Sequence, residues 1–301
     1  MTDSHHRAVD LSLARNRLGR IGVWLSALGP LPAQAEREQV QRIEQLGYPS
    51  LWITESQKEA FAHAGLVLAS TSTLTVATGI ANIWAREPET AVSGADALAD
   101  AYDGRFILGI GIGHSRFTDR YQRPLATTRD YLDRMLSATG NGPQPASPVP
   151  WLVAALRPKM LELAATRAQG SHPYLVPPEH TVIARAALGP EALLTPELTV
   201  VLDPDPVTAR ATARTFLALY LTLANYTNNL LALGFTDDDL ANGGSDRLVD
   251  AVVAWGDEES IKRRVEEHLA AGADHVCIQP ITPDRRFPSW ELEELAPALL
   301  G

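Results

Sequence analysis

One cysteine, Cys277, is all that 301 residues contain, which excludes an internal disulfide, and the histidines and carboxylates nowhere take the spacing of a metal site. Such a chain suits the reducing cytoplasm. Long apolar runs are missing too: none reaches the roughly 18 residues that a membrane span requires. The opening stretch also lacks the uninterrupted apolar core of a signal peptide. Residues 1–19 read as a flexible leader in which His5-His6 is solvated tail. Positive charge is in short supply. With 26 Lys and Arg against 36 Asp and Glu, the formal charge is -10, a field that repels phosphate backbones and argues against nucleic acid as a partner. No Ser-His-Asp order or paired-carboxylate signal supports hydrolysis.

What is there is 45% hydrophobic, enough for one large core or two modest ones, and disorder is excluded. Short runs rich in Val, Ile and Leu alternate with longer stretches of helical period. The first run is Ile21-Gly22-Val23-Trp24-Leu25. A helix from about Ala33 follows, with Val40, Ile43 and Leu46 on one face and Gly47 to end it. Further strands are expected at 50–54, 74–78, 105–110, 151–155, 171–175, 198–202 and 275–279. Helix, glycine, strand recurs at Gly104 and Gly272, which favours one repeated architecture. Eight strands in about 280 residues fit a (β/α)8 TIM barrel, a single α/β domain over residues 20–301, with a doubly wound open sheet as runner-up.

The connections agree with this reading. Residues 141–150 hold four prolines and form an extended link into the fifth strand. Asp203-Pro204 supplies an N-cap and a first-turn proline for a long helix reaching about Leu223. Residues 225–256 exceed a normal barrel connection and read as an insertion before the last strand, with a helix over 246–255.

Reactive groups in such barrels stand at the C-terminal ends of the strands. That rule selects Trp24 after strand one, Glu55 after two, Gly79, Ile80, Asn82 and Trp84 after three, and His114 after four. It adds Arg157 after five, Val176 and His180 after six, and Gln279 after eight. The run Gly109-Ile110-Gly111-Ile112-Gly113-His114 follows a strand, yet the third glycine of a dinucleotide fingerprint falls where His114 stands. Its glycines would instead let a flat ligand approach the strand end. These loops mix aromatic and apolar groups with few ionisable ones and several bases, as a large planar anionic cofactor needs.

Residues 74–84 (Leu-Thr-Val-Ala-Thr-Gly-Ile-Ala-Asn-Ile-Trp) and 105–114 (Arg-Phe-Ile-Leu-Gly-Ile-Gly-Ile-Gly-His) resemble the third- and fourth-strand signature of the bacterial-luciferase-like flavin and deazaflavin oxidoreductases. Residues 151–160, 168–176 and 271–278 extend the likeness over nearly the whole chain, which is most similar to the actinobacterial branch that uses coenzyme F420. The resemblance implies a luciferase-like barrel, a homodimer, and a hydride passed between the deazaflavin F420 and a small organic substrate. A two-component monooxygenase using FMN is the alternative, and a non-catalytic cofactor-binding barrel is the second.

The same resemblance implies roles for residues. Gly79-Ile80 would form a bulge with a non-prolyl cis peptide beneath the ring, with Asn82 at the ring's polar edge. His114 would be a donor where negative charge develops, and Glu55 matches a carboxylate common after the second strand. Ser56 stands where sugar-phosphate-oxidising relatives carry a histidine base, which argues against that oxidation. Arg157, the Val176 amide and His180 would take the phosphate end. Trp24 and Trp84 would line the substrate pocket.

Overall fold

The computed structural model describes residues 9–138 and 144–301. His5-His6 and the first residues of the proline-rich connection lie outside the described residues. Where a flexible leader was expected, residues 11 to 18 form a helix, α1 (Leu11–Leu18). Asp10 caps it by accepting from Leu13 N at 3.0 Å. Ala14 and Leu18 are buried against the sheet interior, Arg15 pairs with Asp274 at 2.9 Å, and Arg17 donates to Asp103 O at 2.6 Å. Both partners precede strands, which places α1 at the N-terminal ends of the sheet. Two turns carrying two arginines have little periodicity of their own; tertiary packing makes this helix.

The strands are β1 (Ile21–Leu25), β2 (Ser50–Ile53), β3 (Thr75–Thr78), β4 (Ala81–Asn82), β5 (Phe106–Gly111), β6 (Trp151–Val153), β7 (Gly170–Ser171), β8 (Leu193–Leu194), β9 (Glu197–Leu202), β10 (Val253–Gly256) and β11 (Val276–Pro280). They pair in the order β10-β9-β11-β1-β2-β3-β5-β6-β7-β8, with β4 on β5, and every pairing is parallel. β8 and β9 follow one another across Thr195-Pro196, so chain connectivity brings the β7 and β11 sides of the curled sheet together. This is an α/β fold of the barrel type, and the open doubly wound alternative does not describe it.

Helices α2 (Ala33–Gln45), α3 (Ala60–Ser70), α4 (Pro88–Ala101), α5 (Pro124–Ser137), α6 (Pro158–Arg167), α7 (Pro178–Leu188), α8 (Pro206–Tyr220), α12 (Glu258–Ala270) and α13 (Ser289–Leu300) surround the sheet. Their apolar faces, such as Val40 and Ile43 of α2 and Ile261 and Val265 of α12, are buried in the main core. Five of them carry proline at the first turn after a strand-end loop, where the missing amide costs nothing.

Three expectations are corrected. The strand expected at 171–175 is only Gly170–Ser171, because Pro173 has no amide to pair and Leu175 takes a left-handed φ of 56°. Helix α8 starts one Asp-Pro later than expected: Asp205, not Asp203, is the cap, accepting from Thr208 N at 2.9 Å. Between α8 and α12 stand α9 (Ala224–Ala232), α10 (Asp237–Leu240) and α11 (Asp246–Val252); the last gives way to β10 at Val253, where a continuing helix was expected. Pairing of Val253 and Trp255 with Thr199 and Val201 of β9 decides that outcome, and no local signal announces it.

Candidate functional site

The C-terminal end of β3 is broken at one residue pair. Gly79-Ile80 is a cis peptide, Gly79 N donates to Ile53 O at 2.7 Å, and the chain resumes pairing as β4 against Ile110 and Gly111. The glycines of β5 explain how that detour fits. A Cβ on Gly109 would stand 1.9 Å from Thr78 O, and one on Gly111 would stand 2.9 Å from Ile80 Cγ1. These two glycines therefore accommodate the neighbouring strand, where the sequence suggested the approach of a ligand. Gly79 itself faces the interior: its Cβ would lie 2.3 Å from Trp24 Nε1 and 3.0 Å from His172 Nε2.

Glu55 and Arg86 hold the detour in place. Glu55 accepts from Asn82 N at 2.7 Å and Ala60 N at 3.2 Å, and it pairs with Arg86, whose guanidinium also donates to Asn82 O at 3.2 Å and Glu59 at 2.8 Å. The carboxylate is thus committed to protein partners and acts through the backbone of Asn82. Asn82 Oδ1 accepts from Trp84 N at 2.9 Å, which leaves its amide nitrogen toward Gly113, a residue at φ 66°. Trp84 Nε1 donates to Ile112 O at 2.8 Å and staples the two strand-end loops together.

His114 follows β5 and is half-buried against Tyr226 of α9, ring centroids 5.1 Å apart. Asn225 orients it. Tyr121 OH donates to Asn225 Oδ1 at 3.0 Å, and Asn225 Nδ2 donates to Gly113 O at 3.1 Å and meets His114 Nδ1 at 3.3 Å. The amide nitrogen must face the Gly113 carbonyl, so His114 Nδ1 is the acceptor and Nε2 carries the proton. Burial lowers the His114 pKa, which keeps the ring neutral and presents one N–H donor.

The loops after β6 and β7 come together. His180, fully buried on α7, donates from Nε2 to Leu156 O at 2.6 Å, and so fixes the loop that carries Arg157. Arg157 caps α6 and its side chain makes no hydrogen bond or ion pair among the described residues. Val176 is buried, and the turn before it is pinned by Glu197: Glu197 N donates to Pro173 O at 2.9 Å while its carboxylate accepts from Leu175 N at 3.0 Å and Thr199 Oγ1 at 2.7 Å. Burial pushes the Glu197 carboxyl up to about 7.

Sequence reasoning missed the inner aromatic wall. Tyr174 packs on Trp24 at 5.1 Å, donates to Gln279 Oε1 at 2.6 Å and meets Tyr220 OH at 2.9 Å. Next to it His172 donates from Nδ1 to Thr195 O at 2.6 Å and stacks on Trp52 at 4.1 Å. Trp24 Nε1 and His172 Nε2 are both buried and have no partner among the described residues. The residues His172, Pro173 and Tyr174 sit in a short apolar run that reads as strand, which hid them. A cavity of about 460 Å³ lined by Trp255, Gly256, Asp257 and Arg264 opens at β10, away from Gly79, Asn82 and His114.

Residues 18–275 match the family model for luciferase-like monooxygenases. The chain belongs to this family. Among relatives of the luciferase-like family, a candidate coenzyme F420-dependent oxidoreductase of Mycobacterium tuberculosis is 24% identical over 327 aligned positions, covering 86% of this chain and 94% of that protein. A solved F420-dependent secondary alcohol dehydrogenase in complex with an F420-acetone adduct superposes with a TM-score of 0.73 at 16% identity, over 93% of this chain and 98% of its own. The monooxygenase RslO1 of Streptomyces bottropensis does so at 0.63 and 15%, over 94% and 99%. These likenesses carry the luciferase-like fold, and the two structures differ in the chemistry named for them. Among the described residues no cluster could hold a metal, and no helix is long and apolar enough to cross a membrane.

Proposed function

We propose that this chain is an F420-dependent oxidoreductase that passes a hydride between the deazaflavin and a small organic substrate. It would be one (β/α)8 barrel over residues 20–301 with an insertion at 225–256, cytoplasmic and homodimeric. The observation that carries the reading is the strand end around Gly79, where the backbone is bare of side chain, two buried polar atoms have no partner among the described residues, and the donors facing the same end are neutral. The 24% identical relative of the same family supports the choice of cofactor.

The residues suit such a group. Gly79 and Ile80 offer a flat face, and the Asn82 amide nitrogen and His114 Nε2–H are fixed donors for a polar ring edge. Arg157, the Val176 amide and the loop that His180 holds would take the phosphate end, with Trp24 and Trp84 beside the substrate. When bound, the deazaflavin supplies the hydride chemistry. The protein then contributes orientation and stabilisation of charge on the ring edge, and needs no side-chain base of its own.

Parallel titrations with F420 and FMN test the proposal: quenching of F420 fluorescence with no retention of FMN is expected. Retention of FMN alone would transfer the reading to a two-component monooxygenase, in keeping with the likeness to RslO1. His114→Ala should slow hydride transfer about tenfold or more while weakening F420 binding less, since it removes a donor needed most as charge develops.

A further inference from the structure

Away from the proposed site, we infer that the outer edge of β10 is a docking groove for an extended acidic segment of a partner protein, which adds to the sheet as one more strand. The inference is independent of the cofactor reading and concerns the cavity of about 460 Å³ that the chemistry at Gly79 leaves unused.

Strand β10 ends the order of strands. It pairs with β9, Val253 to Gly256 against Thr199 to Leu202, and with no other strand among the described residues. Its two faces are covered. Val253 and Trp255 belong to the cluster that holds Ala213 and Leu217 of α8 and Leu248 of α11, whereas Ala254 joins the main core with Ile261 and Val265 of α12. Residues of both orientations line the same cavity, so it runs along the edge of the strand and not over one face. In a parallel pair, alternate residues turn both N–H and C=O to one neighbour, and the residues between them turn theirs the opposite way. Beyond the β9 ladder, Ala254, Trp255 and Gly256 make no backbone hydrogen bond among the described residues, so this edge holds unused donors and acceptors. An added strand pairs with such groups.

Helix α12 forms the facing wall, with Ser260, Arg263 and Glu267 on the side that borders the groove. Gly256 lets that helix start so close, since a Cβ there would stand 2.8 Å from Ser260 Cβ. At about 460 Å³ the groove is large enough for a short peptide. Charge then sets the preference. Asp250 is bound to Arg210 at 2.6 Å and to Trp255 Nε1 at 2.8 Å, Glu267 pairs with Arg264 at 2.9 Å, and Asp257 caps α12 by accepting from Ser260 N at 2.9 Å. Arg264 is further spent on the Ala251 and Asp250 carbonyls. Arg263, exposed and near Asp257, makes no hydrogen bond or ion pair among the described residues. The uncommitted charge beside the free edge is therefore positive, and it complements an acidic side chain on the incoming strand.

Hydrogen exchange of the full chain, read by mass spectrometry, tests this with acetyl-Thr-Glu-Val-Glu-Thr-amide as the probe. Millimolar peptide should slow exchange over 253–256, and the lysine analogue acetyl-Thr-Lys-Val-Lys-Thr-amide should need about threefold more for the same protection. Arg263→Glu, a change at an exposed position, should reverse that preference. The acidic peptide with every amide methylated cannot join a sheet and should protect nothing. Unchanged exchange over 253–256, equal protection by the methylated peptide, or a preference indifferent to Arg263→Glu would each overturn the inference. So would protection of these residues that arises without peptide and grows with protein concentration, which would assign the edge to a second copy of this chain.

Discussion

Two tryptophan–histidine pairs share one barrel interior, and they are treated differently. Trp52 Nε1 donates to His275 Nε2 at 3.1 Å, and His275 in turn donates from Nδ1 to Gly19 O at 2.8 Å, so that the pair nearer α1 is satisfied throughout. Trp24 and His172 carry the same groups in the same tautomeric pattern, yet Trp24 Nε1 and His172 Nε2 have no partner among the described residues. The first pair is a core element whose polar atoms are matched internally. In the second, two buried nitrogens have no partner among the described residues, and Gly79 brings no side chain against them.

The sharpest way to break this comparison is to remove each indole in turn. Trp52→Phe leaves His275 Nε2 buried without its donor and should cost about 2–4 kcal/mol of stability. Trp24→Phe gives up no hydrogen bond within the chain and should cost at least about 1 kcal/mol less. Urea denaturation of both variants gives the difference, and equal losses would erase the distinction between the two pairs.

A second, smaller effect separates the histidines from Glu197. His172 and His275 are both held down to about 4, chiefly by burial, from an ordinary 6.5. Below pH 6.5 the unfolded chain takes up protons that the folded chain refuses, so stability falls as pH drops from 6.5 through 4. Glu197 acts with the opposite sign. Its folded carboxyl, at about 7 against an ordinary 4.5, keeps a proton that the unfolded chain loses; its contribution is whole below pH 4.5 and is lost as pH rises through 7. Glu197→Gln should leave the acid limb unchanged and remove that decline, on the order of 3 kcal/mol, when urea midpoints are compared at about pH 4 and about pH 8.

The mildest test concerns His114. Asn225→Ala should change stability by less than about 1 kcal/mol, because the half-buried site admits water, but it frees Nδ1 to compete for the proton. Nitrogen NMR of the His114 ring should then show a mixture of tautomers in place of Nε2–H alone.

Much of this architecture was legible because short-range physics writes it. Gly47, Gly104 and Gly272 sit at positive φ between helix and strand, and apolar runs buried on both faces mark β1, β2, β5 and β11. The positions Gly79, Asn82 and His114 could be placed by counting from those strands. Their neighbours could not. His275 is 223 residues from Trp52, and Asn225 is 111 from His114, so no local pattern records either bond. For the same reason Glu55, Trp84 and His180 look like ligand contacts in sequence, while in space the Glu55 carboxylate, Trp84 Nε1 and His180 Nε2 each hold another part of the site. β10 was lost because Leu248, Val249 and Val252 lead smoothly into Val253, and only the edge of β9 stops the helix.

Helix α1 has a practical corollary. It seals the end of the cylinder opposite Gly79, with Asp10 beside Gly104 and Pro148. A tether coupled ahead of Asp10 would anchor the molecule by its closed base, leaving the mouth turned toward bulk solvent and free to exchange small molecules on a sensor surface.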